Sequence, residues 1–206
     1  MTQQSKQQKI QSIIEFLSLV EKLKDTTRHN WTSSGRHESV AEHTWRVCLL
    51  FVLMYETFDL KVDPYRLLKM LLIHDIHELV DGDLPGFIKE TISNEYQQKE
   101  LEAISSVYKI LPDEIANDLE TLAKELETGE DDEVVLAKTC DRIETQLQHL
   151  NSGTAYWSEK EIGDHMLTYP DKYLNKLNNE HFNLLWDKIR SKLTEMTEEL
   201  GNSKDK

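Results

Sequence analysis

Apolar residues recur at helical spacing along most of this 206-residue chain. A first amphipathic helix, ending at about Lys24, is predicted from apolar residues three or four positions apart: Ile10, Ile13, Ile14, Leu17 and Val20. The segment from Asp25 to His37 is polar and lacks this repeat. The pattern therefore predicts a helix followed by a polar connection.

A capping box formed by Ser39 and Glu42 opens the next helix, which runs to about Tyr55. Residues 47–54 make this helix apolar almost all round, so we expect it to be central in the fold.

A third helix begins where Asp63 is the N-cap and Pro64 takes the first helical position. It carries the adjacent residues His74 and Asp75, and residues 82–85 then form a short irregular loop. Later helices are predicted at about 94–111, 113–127, 133–150, 159–167 and 179–200.

No alternating run of apolar and polar residues is long enough to predict a strand. The expected fold class is therefore all-α, a compact helical bundle in a single domain over residues 1–206. The motifs described below lie within about 10–150, and residues from about 151 to 200 are expected to form a C-terminal helical extension.

The net charge of −14 argues against a long nucleic acid as partner, because a phosphate backbone needs a basic face. No stretch is apolar enough to span a membrane, and the first residues lead into no signal-peptide core, so we expect a cytoplasmic protein without a membrane partner. Cys48 and Cys140 lie in apolar helical patterns and form no CxxC motif, which predicts reduced core residues.

Candidate chemistry is concentrated at residues 71–85. There the apolar face of the third helix continues into His74 and Asp75, with Glu78 four positions after the histidine. The pair is either two ligands of a metal ion or a hydrogen-bonded pair at a helix end. A divalent ion would offset the unfavourable burial of an imidazole beside a carboxylate.

On two other helices a polar residue interrupts or borders the apolar face in a similar way. His43 is the polar member of a seam that includes Val40 and Val47, and Asp141 lies at the edge of a later stripe, with Glu144 nearby. Taken singly, the histidine could be a core residue and the aspartate a solvated one. Together with His74 and Asp75, they supply two imidazoles and two carboxylates from three helices.

Three segments resemble the motif blocks of the HD-domain metal-dependent phosphohydrolases: RHESVAEHTWRV at 36–47, LIHDIHELVDGDLP at 72–85 and LAKTCDRIE at 136–144. Within that superfamily they most resemble the 5′-deoxynucleotidases. The resemblance covers roughly residues 10–150 and depends on the order H…HD…D.

The resemblance implies that His43, His74, Asp75 and Asp141 bind a divalent metal. Mn²⁺, Co²⁺, Fe²⁺, Mg²⁺ and Zn²⁺ all suit two nitrogen and two oxygen ligands, and such a set leaves room for a water and a phosphate oxygen.

Two acidic residues match the family's catalytic positions. Glu78 is assigned general acid/base work or the positioning of water, with a surface carboxylate at a helix end as the alternative. Asp83 matches a loop aspartate that orients the attacking water or protonates the leaving 5′ oxygen, and a simple turn residue is the alternative.

Arg28 and Trp31 resemble an arginine and a tryptophan that the family uses to hold phosphate and sugar or base. In some members the two are adjacent, whereas here His29 and Asn30 separate them. Arg36 is the substitute if Arg28 points away from the site.

The expected function is removal of phosphate from deoxyribonucleoside 5′-monophosphates. The alternatives are another HD-type reaction, such as cyclic phosphodiester or nucleoside triphosphate hydrolysis, and a non-catalytic nucleotide sensor. The resemblance implies a small-molecule nucleotide substrate and a homodimer.

Overall fold

The computed structural model describes residues 5–84, 94–158, 162 and 164–204. The all-α fold class is confirmed, because helices form most of the described chain. The helices are α1 (Lys6–Val20), α2 (Val40–Phe58), α3 (Pro64–Ile73), α4 (Glu78–Asp81), α5 (Asn94–Tyr108), α6 (Asp113–Thr128), α7 (Asp132–Ser152), α8 (Asp164–Thr168), α9 (Asp171–Leu177) and α10 (Glu180–Lys204). Short 3₁₀-helices lie at Glu21–Lys24 and Thr154–Tyr156.

A small antiparallel sheet corrects the expectation that the chain has no strands. Strand β1 (Thr27–Trp31) pairs with β2 (His37–Ser39), so the polar segment before α2 is a hairpin. The side chains that β1 buries are Arg28 and Asn30, which are polar. Because strand prediction looks for apolar residues at alternate positions, a strand with polar buried positions leaves no such pattern.

The core lies where α2, α3 and α7 pack against one another. Each contributes fully or almost fully buried side chains, among them Val47, Phe51, Leu67, Leu71 and Ile143. The caps predicted from the sequence are present, since Ser39 and Glu42 form the capping box of α2 and Asp63 accepts two N–H bonds at the start of α3.

The expectation that the whole of α2 is central holds for only one face. The buried face includes His43, and the opposite face leaves four apolar side chains 37–63% exposed: Trp45, Leu49, Val52 and Leu53. Helix α1 has no buried residues, and its stripe of Ile10, Ile13, Ile14 and Leu17 is 41–60% exposed. Apolar periodicity predicted these helices correctly but could not say which apolar stripe the chain itself covers.

The C-terminal part packs onto α7. The guanidinium of Arg142 lies 4.1 Å from the ring centroid of Tyr169 and 4.6 Å from that of Tyr173. The indole N–H of Trp157 donates to the carbonyl of His149 on α7 at 3.0 Å. Residues 159–161 and 163 of the predicted helix at 159–167 lie outside the described residues, and α9 was not predicted.

Among the described helices, none combines the length and the apolarity needed to cross a membrane.

Candidate functional site

The end of α3 directs two consecutive polar side chains toward the core. The helix ends at Ile73, and residues 74–77 form turns before α4 begins. This corrects the expectation that His74 and Asp75 lie within a continuous helix. Glu78 N–H donates to the carbonyl of Asp75 at 3.1 Å, three residues back, which tightens the backbone relative to an α-helix. Both side chains are only 10% exposed.

His74 is oriented by its own helix. Its Nδ1 lies 2.7 Å from the carbonyl oxygen of Leu71, so Nδ1–H donates there and Nε2 carries the lone pair. Nε2 is buried, lies 3.1 Å from Oδ2 of Asp75, and has no hydrogen bond within the described part of the chain. A cation between the imidazole and the carboxylate would satisfy both groups.

His43 and Asp141 reach the same place from α2 and α7. Nε2 of His43 lies 3.0 Å from Oδ1 of Asp141 and 3.7 Å from Oδ2 of Asp75. Nε2 of His74 lies 3.9 Å from the same Asp141 oxygen. The structure therefore brings together all four residues that the sequence singled out as metal ligands.

This donor set fits a divalent metal ion. Ligand atoms of His43, His74 and Asp141 lie within 4.8 Å of one another, and Asp75 is within contact distance of both histidines. Two imidazole nitrogens and two carboxylate oxygens form a mixed set that suits several first-row divalent ions. Among the described residues, no donor satisfies the buried lone pair on His74. These residues could hold a divalent ion, whose identity the geometry leaves open.

The carboxylates of the cluster are held in their charged form. Burial alone would raise the pKa of Asp75, but His74 and Arg28 lower it well below its ordinary value. Burial likewise opposes the charge on Asp141, and the hydrogen bond and charge of His43 lower its pKa. The two aspartates therefore remain charged at neutral pH.

Arg28 enters this cluster from β1 and is 7% exposed. Its Nη1 donates to Oδ2 of Asp75 at 3.0 Å and lies 3.7 Å from Oδ1 of Asp83, while its Nε lies 3.7 Å from Glu38. Burial would lower the pKa of Arg28, but Asp83 and Asp75 raise it above its ordinary value. A guanidinium so placed remains charged and faces the carboxylates.

Glu78 and Asp83 are both buried next to Arg28. Glu78 is 1% exposed, so the alternative of a surface carboxylate is excluded. The side chain of Asp83 is 4% exposed, follows Gly82 at φ 75°, and accepts the backbone N–H of His29 at 3.2 Å. This bond ties the loop after α4 to β1.

The other two candidates for substrate binding have different surroundings. Trp31 stacks on Tyr156 with ring centroids 5.0 Å apart and contacts the ring of His37 at 4.1 Å. The side chain of Arg36 is 58% exposed and forms two bonds to Glu42 in the cap of α2. Arg28 points into the cluster, so the condition under which Arg36 would replace it is not met.

Two buried carboxylates next to His43 were not singled out from the sequence as site residues. Glu144 is 1% exposed, and its Oε2 lies 2.5 Å from Nδ1 of His43. Glu38 is 2% exposed, and burial, with Glu144, raises its pKa to about 7. The spacing of Glu144 three positions after Asp141 was a usable signal, because it places both on one helix face. Glu38 had no such signal, since nothing in the sequence marks its position in the strand as buried.

The neighbouring carboxylates also change the pKa of His43. Burial and Arg28 would lower the pKa of this imidazole, but Glu144 and Asp141 outweigh them and raise it to about 10. His43 therefore lies between carboxylates on both of its ring nitrogens.

Comparison with known proteins places the chain in a family. The family model of the HD domain matches residues 20–195 of this chain. The human 5′-deoxynucleotidase HDDC2 is 29% identical over 139 residues, and the match spans 66% of this chain and 66% of that protein, slightly less than two thirds of its length. The Dictyostelium discoideum protein of the same name is 28% identical over 186 residues, 87% of this chain and 88% of that protein.

Solved structures agree with this assignment. The crystal structure of a predicted metal-dependent phosphohydrolase from Magnetospirillum magnetotacticum has a TM-score of 0.74 at 25% identity and covers 93% of this chain and 96% of its own. A conserved hypothetical protein from Pyrococcus furiosus shares the fold with a TM-score of 0.60 at 23% identity, covering 86% of this chain and 99% of its own. Since the HD domain match covers most of the chain, including all three motif blocks, this protein belongs to the HD domain family.

Proposed function

We propose that this protein is a metal-dependent phosphohydrolase that removes phosphate from deoxyribonucleoside 5′-monophosphates. The observation that carries the proposal is the cluster of His43, His74, Asp75 and Asp141 with the guanidinium of Arg28 bonded to it. Relatives named 5′-deoxynucleotidase over 66–87% of the chain support the substrate class.

In this proposal the two imidazoles and two carboxylates hold the metal. The chemistry that a bound divalent ion supplies there is polarisation of the phosphoryl group and a lower pKa for the attacking water. The geometry that favours the proposal is the set of distances of 3.0–3.9 Å among the four side chains, which needs little rearrangement to close around one ion.

Arg28 is proposed to bind the substrate phosphate. Its planar guanidinium suits two phosphate oxygens, and its contacts with Asp75 and Asp83 already aim it at the cluster. An anionic substrate would replace part of the carboxylate contact as it binds. The phosphorus would then lie between this arginine and the proposed metal ligands.

Glu78 is proposed as the residue that takes a proton from the attacking water and returns one to the leaving 5′ oxygen. Its burial and its electrostatic contact with Arg28 place it beside the cluster. Asp83 accepts a backbone N–H and lies near Arg28, so its oxygens are already engaged as acceptors. Of its two suggested roles, that of orienting the water therefore fits better than that of proton donor.

Trp31 is proposed to contact the sugar or base. Because Arg28 lies on the buried side of β1 and Trp31 is three positions further, the strand presents the two side chains to different sides. The indole stacks on Tyr156, so the ring is held in place before substrate binds.

Other substrates of an HD-type enzyme remain the competing proposal. A nucleoside triphosphate would demand more positive charge than the guanidiniums of Arg28 and Arg46 that the structure describes beside these carboxylates. A non-catalytic sensor would gain nothing from burying Glu78 and Asp83 near the cluster.

The decisive experiment measures phosphate release from deoxy- and ribonucleoside 5′-monophosphates, 3′-monophosphates, triphosphates and cyclic nucleotides. The protein is first stripped with EDTA and then supplied with Mn²⁺, Co²⁺, Mg²⁺ or Zn²⁺. We expect metal-dependent release from deoxyribonucleoside 5′-monophosphates. Release from a different substrate class, or none with any metal, would overturn the proposed specificity or the proposed activity respectively.

The variant Glu78→Gln tests the mechanism separately. We expect kcat to fall at least ~100-fold while metal affinity stays within a few-fold. Glu198→Gln, at an exposed position on α10, is the matched control and should keep full activity. Equal turnover of both variants would remove Glu78 from the reaction.

A further inference from the structure

Glu144 makes a short contact with the side of the His43 ring that points away from the cluster. Its Oε2 lies 2.5 Å from Nδ1 of the imidazole, whose other nitrogen, Nε2, faces Asp141 at 3.0 Å. Both Glu144 and His43 are essentially inaccessible to solvent. A carboxylate only accepts hydrogen bonds when ionised, so the proton of this bond belongs to Nδ1.

We propose that Glu144 is a positioning residue that holds His43 as an Nε2 ligand of the metal. The inference rests on the metal site proposed above and assigns the residue that orients one of its ligands. With Nδ1–H committed to Glu144, Nε2, which faces the cluster, is the ring nitrogen left to give up its proton and bind the metal. The bond also fixes the rotation of the ring.

Glu144 is itself held by Arg46. The Nε of Arg46 lies 3.2 Å from Oε1 of Glu144, so the guanidinium neutralises a buried charge that would otherwise be strongly unfavourable. Arg46 also donates to Gln148, and the side-chain amide of Gln148 donates to the carbonyl of Trp31 at 2.5 Å. One chain of contacts thus joins the metal ligand on α2 to the end of β1.

Glu38 provides the natural comparison. Its carboxylate lies within 4.8 Å of the ligand atoms of His43 and Glu144, and it is equally buried. Its nearest described ion-pair contact is Nε of Arg28 at 3.7 Å, and its Oε2 accepts no hydrogen bond in the part of the chain that the structure describes. Glu38 therefore lies close to His43, but the structure describes no hydrogen bond by which it would orient the ring.

The experiment compares Glu144→Ala, Glu144→Gln and Glu38→Gln in the full chain. Zn²⁺ affinity is measured by competition with a chromophoric chelator, and the ring protons of His43 are followed by ¹⁵N-edited NMR of the Zn²⁺-loaded protein. Neither measurement depends on turnover, so a wrong substrate assignment would leave the result interpretable.

We expect the wild type and Glu38→Gln to show a slowly exchanging proton on Nδ1 of His43. Glu144→Ala should lose that proton signal and bind Zn²⁺ about 10- to 100-fold more weakly than the wild type. Glu144→Gln should retain the signal, because its amide oxygen still accepts the bond, with an intermediate affinity.

Two results would overturn the proposal. One is an equal loss of Zn²⁺ affinity in Glu38→Gln and Glu144→Ala with the Nδ1 proton unchanged, which would mean that Glu144 acts only through its charge. The other is a wild-type His43 that binds Zn²⁺ through Nδ1, a result that needs no variant and so stands even if Glu144→Ala fails to fold.

Discussion

Nη1 of Arg28 lies 3.0 Å from Oδ2 of Asp75. The residue proposed to bind the substrate phosphate is therefore hydrogen-bonded directly to a proposed metal ligand. This contact places the positive charge of the arginine at the edge of a cluster of carboxylates. A phosphate that binds Arg28 would exchange one anionic partner of the arginine for another.

Replacing Arg28 by Lys should therefore lower kcat/KM for a deoxyribonucleoside 5′-monophosphate by at least about 100-fold. Lysine keeps the charge but loses the fork that binds two oxygens. Steady-state phosphate release measures the effect. Arg36→Lys is the matched control, since Arg36 is exposed and bonded to Glu42, and its activity should stay within about twofold. Similar losses in both variants would contradict the assignment of Arg28.

Glu42 should make the protein sensitive to acid. The hydrogen bonds from Arg36, together with those from Ser39, lower the pKa of Glu42 from an ordinary 4.5 to about 2, against the opposing effect of burial. A carboxylate with a lowered folded-state pKa stabilises the fold above its unfolded value, and this contribution disappears as the pH falls from about 4.5 to about 2.

Glu42→Gln keeps a residue suited to the capping box but loses the ion pair. Because the side chain is 41% exposed, we expect the variant to be less stable by no more than ~1 kcal/mol at pH 7, with the difference vanishing near pH 2. Urea unfolding at pH 7, 4 and 2.5 measures it. A difference that grows toward low pH would contradict the assignment.

Gly35 should be intolerant of a side chain. It has φ +81°, and a Cβ there would lie 2.6 Å from the hydroxyl oxygen of Tyr156. Gly35→Ala should destabilise the fold by ~1–2 kcal/mol and raise KM, because the shift of Tyr156 disturbs the ring on which Trp31 stacks.

Gly201→Ala is the matched control, because nothing lies within 4 Å of a Cβ at this position in α10. It should leave KM unchanged and stabilise the fold by up to ~1 kcal/mol. Thermal unfolding and substrate titration of both variants give the comparison. A Gly35→Ala protein as stable as the wild type, with an unchanged KM, would show that the hairpin is not seated on Tyr156.

The homodimer expected from the resemblance should use α1. A 15-residue helix is marginal in water without tertiary packing. Within the described chain α1 packs against the core through partly buried residues such as Phe16, and it exposes a stripe of four apolar side chains. A second copy would cover that stripe.

Ile14→Glu with Leu17→Glu should convert a dimer into a monomer, as measured by light scattering coupled to size exclusion. Leu184→Glu changes an apolar residue of similar exposure on α10 and should leave the mass unchanged. A monomeric wild type, or a double variant that remains dimeric, would rule out this interface.

The cytoplasmic location stays a prediction.

The sequence indicated the cluster because its members interrupt apolar seams. His43, His74 and Asp75 follow or replace positions that a helix would bury, so their chemistry stands out against the periodicity. Glu144 did not stand out in this way, because a carboxylate at the edge of a stripe is usually solvated. Its burial depends on Arg46 and His43, which come from another helix.

The hairpin was missed for a related physical reason. Its buried side chains, Arg28 and Asn30, face the ionic cluster and the backbone of α7, where polar groups are favourable. Likewise α9 has only seven residues, too few to show a helical period. Sequence patterns report burial in apolar surroundings over several turns, so a strand with polar buried side chains and a helix of two turns both escape them.

The stack of Trp31 on Tyr156 joins the first forty residues to a segment beyond the motif blocks. A fragment ending near residue 150 would carry every proposed metal ligand, yet it would lack the ring that supports Trp31 and the indole that bonds to His149. Such a fragment should keep its affinity for the metal but lose selectivity among nucleotides. Exchange of the segment around Tyr156 between homologous proteins would then change nucleotide preference while the hydrolytic chemistry stayed the same.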